Sequence, residues 1–167
     1  MPDPDGHLVQ IYVAPAAGAP VVAVAHAEAL AGRGLAGDRY GAGAGSFSRW
    51  PGKGRALTLI AAEVLAEAEA AFGVAMSSGE HRRNLVVACV DLRALLGGEF
   101  QIGGATFRGA RVCAPCKDLV RVTGQPRAFD ALVGRGGIRA EVVDGGRIAT
   151  GDAVRPLGAA RPRTLPG

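Results

Sequence analysis

Two cysteines three positions apart, Cys113 and Cys116, close an apolar run, with Arg111 before them and Lys117 after. Sulfur attacks an electrophile or binds a metal as thiolate, and neighbouring cations favour that form. Cys113, Cys116 and Lys117 are therefore the catalytic candidates, and function converges on Cys116. Three arginine-bearing segments are candidates for binding an anion. Arg82-Arg83-Asn84 directly precedes an apolar run, so two guanidinium forks and an amide stand at a rigid strand end. Asp38-Arg39 follows a glycine-rich stretch, where Asp38 can brace the turn and Arg39 can reach a ligand. Gly134-Arg135-Gly136-Gly137 joins a cation to glycines that let backbone amides approach an anion. The plainer reading of each segment is a solvated polar loop.

These residues need elements to hold them. Leu8 to Val13 alternates apolar and polar residues and reads as a strand, as does Val21 to Ala25 beyond a Pro15 to Pro20 break. Gly32 to Gly45 holds six glycines and reads as a loop. Ala56 to Ile60 is a short strand, and the Ala- and Glu-rich stretch Ala61 to Phe72 is a helix stopped by Gly73. After a polar connection, Ser77 to Arg82, the apolar run Leu85 to Val90 reads as a buried strand that includes Cys89 as a small core residue. Asp91 can cap a short helix over Leu92 to Leu96. Phe100 to Ile102, Gly103-Gly104 and Ala105 to Val112 form a hairpin. Asp118 to Val122 reads as extended, and Pro126 to Val133 as a short helix. Ile138 to Val143 and Arg147 to Val154 form a second hairpin, with Gly151-Asp152 as turn chemistry. Many short strands with peripheral helices indicate a mainly β, barrel-like domain (α+β). One domain spans 8–156, with flexible termini at 1–7 and 157–167.

Rival motif readings fail on context. A structural zinc site wants four Cys or His ligands, and no second cysteine pair exists. A thioredoxin-like redox pair belongs at a helix start, which the extended reading of Asp118 to Val122 denies. Gly32 to Gly37 matches the dinucleotide fingerprint by letter, but no helix follows and the required acid is missing. Gly41 to Ser48 lacks the Gly-Lys-Ser/Thr ending of a phosphate-binding loop.

Composition narrows the class. The 167 residues suffice for one core without staples, and 49% are apolar, which excludes disorder. The formal charge of +4 is carried mostly by arginine, whose planar fork suits phosphate or carboxylate. No dense basic run or aromatic platform points to nucleic acid. Three cysteines make no disulfide scaffold, and neither a signal peptide nor a membrane-spanning run is present, so a cytoplasmic location is expected.

The ordered set of motifs resembles the MOSC domain, the molybdenum-cofactor sulfurase C-terminal family. It runs through Gly34-Leu-Ala-Gly-Asp-Arg-Tyr40, Leu57-Thr-Leu-Ile with Glu63, Arg83-Asn84-Leu-Val-Val87, Asp91-Leu92 and Leu96 to Gly103. It continues through Pro115-Cys116, Gly134 to Ile138, Gly145 to Ile148 and Gly151-Asp152. The resemblance implies a β-barrel-like fold that binds a molybdenum cofactor (molybdopterin-bound Mo), with Cys116 as the key thiol. By it, Asp38, Arg39, Arg82, Arg83, Asn84, Arg135 and Gly136 would hold the pterin. The implied reaction is reduction of N-hydroxylated substrates with electrons from an external flavin or iron–sulfur reductase. Two alternatives stay open: a persulfide on Cys116, loaded by a cysteine desulfurase, with an exposed Cys113 as partner thiol, or a non-catalytic cofactor carrier. The pyridoxal-phosphate desulfurase domain of the larger relatives is missing from this sequence, so pyridoxal phosphate is not expected.

Overall fold

The computed structural model describes residues 6–16, 19–38, 57–115 and 117–159. The fold is mainly β. Strands run in chain order as β1 (His7–Val13), β2 (Val22–Val24), β3 (His26–Leu30), β4 (Gly34–Leu35), β5 (Leu57–Ala61) and β6 (Leu85–Ala88). They continue as β7 (Gly98–Ile102), β8 (Ala105–Val112), β9 (Ile138–Asp144), β10 (Gly146–Ala149) and β11 (Val154–Ala159). The helices are α1 (Ala62–Phe72), α2 (Asp118–Thr123) and α3 (Ala128–Leu132), with a 3₁₀ turn at Leu92–Leu95. An eight-stranded sheet, ordered β11-β7-β8-β9-β5-β6-β1-β2, curls into a half-barrel, and β10-β3-β4 forms a second, three-stranded sheet. The expected mainly β, barrel-like architecture is what the chain adopts.

Side-chain alternation explains the packing. Leu57, Leu59, Leu85 and Val87 point into the curl, where they meet Leu8, Ile11, Phe107 and Ile138. Phe100 and Phe107 stack there, their ring centroids 5.5 Å apart. Ile60 and Val86 point the other way, into a second core with Leu65 and Ala68 of α1, Leu119 of α2 and Leu132 of α3. Both faces of β5 and β6 are therefore covered, which is why these strands read as continuous apolar runs. They are also parallel to each other, with Leu59 opposite Leu85, and α1 is the crossover such a pair requires. Gly73 closes α1 in the left-handed conformation, φ 67°, as expected of a stop signal. The Asp91 side chain accepts from the Arg93 N–H at 3.2 Å, also as expected.

Several expectations need correction. Residues 118–123 are helical rather than extended: Gly124 supplies a left-handed cap and Leu119 is drawn into the outer core, and together these outweigh the β-branched Val120 and Val122. The loop read at Gly32 to Gly45 contains β4, which pairs with β3, an unread strand. The expected second hairpin is divided. β10 leaves β9 to pair with β3, and after the turn at Thr150 to Asp152 the chain enters β11 beside β7. Asp152 accepts from the Ala149 N–H at 2.8 Å, so Gly151-Asp152 is turn chemistry as read. β11 extends past Pro156 to Ala159. Cys89 is exposed, not a core residue, because β6 ends at Ala88 and Cys89 takes a left-handed backbone with φ 60°. No described helix is long and apolar enough to cross a membrane.

Candidate functional site

β8 ends at Val112 and delivers the cysteine segment beside the turn that starts β9. The Cys113 N–H donates to the Gly137 carbonyl at 2.8 Å, and the Cys113 side chain is fully buried. The expected exposed Cys113 thiol is thus corrected: strand pairing draws this residue inward. Gly136 lies against the same segment. A Cβ there would collide with the Cys113 carbonyl and stand 3.2 Å from Arg83 Nη2, so only glycine lets the two backbones approach this closely.

Arg83 fastens the two segments together. Its Nε donates to the Gly136 carbonyl at 2.9 Å and its Nη2 to the Ala114 carbonyl at 3.4 Å. Its own N–H donates to His81 Nδ1 at 2.9 Å, across Arg82, whose φ is 61°. His81 is fully buried, edge-on to Tyr12 with ring centroids 5.4 Å apart. Burial, aided by the Arg83 charge, pushes its pKa down to about 3. The ring is therefore neutral at neutral pH. With Nδ1 accepting, the proton is assigned to Nε2, which is buried without a partner.

The remaining sequence candidates separate. Asn84 Oδ1 accepts from Thr58 N and Oγ1 at 3.1 and 3.4 Å, and Nδ2 donates to the Tyr12 carbonyl at 3.1 Å. That ties β1, β5 and β6 together. Asp38 is buried and accepts from the Ala14 N–H at 2.8 Å, bracing the chain where β4 ends. Arg135 turns from the cysteine segment toward the helices, donating to Glu67 Oε2 at 2.9 Å and to the Ala131 carbonyl at 3.0 Å. Lys117 is exposed ahead of α2. Cys116 and Arg39 lie outside the described residues. Of the candidates, the structure brings together Cys113, Arg83 and Gly136 and leaves Asp38, Asn84 and Arg135 in other contacts.

Beside this junction opens a cleft of about 500 Å³, a volume typical of small-molecule sites. Its apolar wall comprises Ala61, Val64, Val90, Leu92, Val112 and Ile138, and Gly134 and Gly137 form the side nearest the cysteine segment. Glu63, Cys89, Asp91, Arg93 and Arg135 supply its polar groups. Sequence reasoning assigned no site role to Cys89, Arg93 or His81. An apolar run masked Cys89, and a polar loop masked His81. Arg93 carried no signal beyond its type. Among the described residues, no cluster of three or more His, Cys, Asp or Glu could hold a metal ion.

Comparisons with known proteins agree with this architecture. The MOSC domain model matches residues 45–155. The YuaD protein from Bacillus subtilis is similar in fold, with TM-score 0.71 and 20% identity over 89% of this chain and 94% of that one. YiiM from Geobacillus stearothermophilus has TM-score 0.67 and 17% identity over 91% of this chain and 75% of that one. YiiM from Escherichia coli has TM-score 0.62 and 17% identity over 95% and 72% of the two chains. No curated protein sequence matches the chain.

Proposed function

The chain belongs to the MOSC domain family, and from that premise we propose that it binds molybdenum cofactor through Cys116 and reduces N-hydroxylated substrates. The observation that carries this reading is the junction of the cysteine segment, the Gly136 turn and Arg83 beside a ready-made cleft. The family is associated with the cofactor. The residues fit such a group. A metal carried on an organic cofactor needs only one protein ligand, and a thiolate suits a soft, sulfur-rich centre. A cleft of about 500 Å³ next to the cysteine segment gives a small ligand room.

When bound, the cofactor supplies the two-electron redox chemistry that breaking an N–O bond requires. The balance is two electrons from an external flavin or iron–sulfur reductase and two protons, giving the N–H product and water. Cys116 would be the metal ligand, with Lys117 next to it in the sequence. Arg83 and Gly136 hold the flanking backbone, with Arg83 Nε fixed on the Gly136 carbonyl. The apolar cleft wall excludes water from the substrate body. The burial of Cys113 removes the exposed partner thiol on which the persulfide alternative drew.

The test is molybdenum content by elemental mass spectrometry, comparing wild type with Cys116→Ala, both expressed with abundant cofactor. Near-stoichiometric metal in wild type and its loss in the variant is the expected result. A metal-free wild type overturns the reading.

A further inference from the structure

The cleft carries charges that nothing so far has used, and their hydrogen bonds show which of them still has donors to offer a ligand. Arg135 is drawn away to Glu67 and the Ala131 carbonyl. Glu63 Oε1 accepts from the Cys89 N–H at 2.8 Å, and Asp91 Oδ1 accepts from the Arg93 N–H, so both carboxylates already face backbone donors. Arg93 differs. Its Nη2 donates to the Gly134 carbonyl at 2.9 Å, which fixes the guanidinium at the cleft, while Nε and Nη1 have no partner among the described residues. The N-terminus of α1 reaches the same cleft through Ala61, Glu63 and Val64, and no side chain caps it. Helix N-termini are the positive end of the dipole. Much of the remaining lining, including Val112 at 41% exposure, is apolar.

We propose that this cleft holds the non-reacting body of the substrate and selects molecules that join an apolar, ring-sized body to a carboxylate, which Arg93 takes. The substrate class is then acid-bearing N-hydroxy compounds rather than neutral ones. This rests on the reductase reading only for the N-hydroxy group; the acid preference is a binding property of the protein itself. The hydrogen bonds of Glu63, Asp91 and Arg93 fix the walls in advance, so little ordering cost attends binding. An exposed guanidinium–carboxylate pair is screened by salt, so the acid preference shrinks as ionic strength rises.

The experiment is titration calorimetry on cofactor-free protein with 4-carboxybenzamidoxime and with benzamidoxime, which lacks the acid. Wild type is expected to bind the carboxylate compound about threefold more tightly at low salt, the scale of one exposed guanidinium–carboxylate pair. Arg93→Gln is expected to erase that difference while retaining the weaker, apolar component. Val112→Trp, at an exposed position, fills the cleft and is expected to abolish binding of both compounds. Melting temperatures near that of wild type show that each variant is folded. Equal affinity for the two compounds, binding of neither, or an acid preference that survives Arg93→Gln overturns the proposal. An Arg93-dependent preference in a protein that never acquires molybdenum upholds the cleft and ends the reductase reading. Reductase turnover with no acid preference does the reverse.

Discussion

Acidification from pH 6.5 to pH 4 should cost the fold about 3 kcal/mol through His81 alone. The folded-state pKa is pushed down to about 3 by burial and by the Arg83 charge, against an ordinary value of 6.5. The unfolded chain therefore binds a proton through this window and the folded chain does not. The stability contributed is fully present above pH 6.5 and is lost progressively as pH falls toward 3. Each pH unit inside the window is worth about 1.4 kcal/mol, which integrates to about 3 kcal/mol by pH 4. The comparison that isolates it is His81→Asn. Asn places an acceptor oxygen near the position of Nδ1, so the Arg83 N–H keeps a partner, but the side chain does not titrate. Urea midpoints for both proteins at half-unit steps from pH 7 to pH 4 supply the two slopes. Carboxylates contribute to both, including Glu69, which is held low by the Met76 N–H and the Ser77 hydroxyl, and they cancel in the difference. The variant is expected to be weaker at pH 7, because the smaller side chain leaves a gap beside Tyr12, and to have the flatter pH profile. Parallel profiles would refute the reasoning and mean that His81 is protonated, or accessible to water, in the folded state.

Two further outcomes follow from the junction. Gly136→Ala should destabilise by about 1–3 kcal/mol, the usual scale of forcing an atom into a packed site, because its Cβ meets the carbonyl of Cys113, a residue anchored by its N–H on the Gly137 carbonyl; chemical denaturation measures it, and a neutral result would mean that the two segments do not touch. Native alkylation with iodoacetamide, read by peptide mass spectrometry, should label Cys89 quickly and Cys113 only under unfolding conditions, because the first is exposed and the second fully buried.

How far the sequence reveals this protein depends on whether a signal is local. The mainly β, barrel-like class, α1, its Gly73 stop and the Asp91 cap all follow from short-range rules, and all are found. The partner of β10 does not follow from such rules. Gly145 and Gly146 look like a hairpin turn, but Cβ atoms there would meet the Ala29 and Gly104 carbonyls, so these glycines serve close packing between distant strands. The helix at 118–123 was hidden for a related reason: burial of Leu119 against the outer core outweighs the local preference of its valines. At the site, residue types marked Arg83 and the Gly134 to Gly137 segment as anion-binding candidates, but only the fold shows that Arg83 and Gly136 meet beside the cysteine segment. Residue types could not show that Asn84 is held within a strand junction, or that Arg135 turns to Glu67. Those facts depend on which side chains reach a partner first.

The location of the cleft has a topological cause. In a sheet otherwise built of antiparallel neighbours, β5 and β6 run parallel. A parallel pair sends both strands out at the same edge, and the crossover helix must start there. In this fold that edge gathers Ala61, the first turn of α1 and Cys89 within one wall. β9 runs antiparallel to β5 and therefore begins at the same edge, where β8, antiparallel to β9, ends. The end of β8 is where the cysteine segment emerges, and the start of β9 is where the Gly134 to Gly137 turn sits. Strand direction alone thus brings a thiol-bearing segment, a close-packed glycine turn and a helix N-terminus to one place, much as ligands gather at the carboxyl ends of strands in open α/β sheets. Arg83 and Arg93 then fix the Gly134 to Gly137 turn from its two ends, through the Gly136 and Gly134 carbonyls.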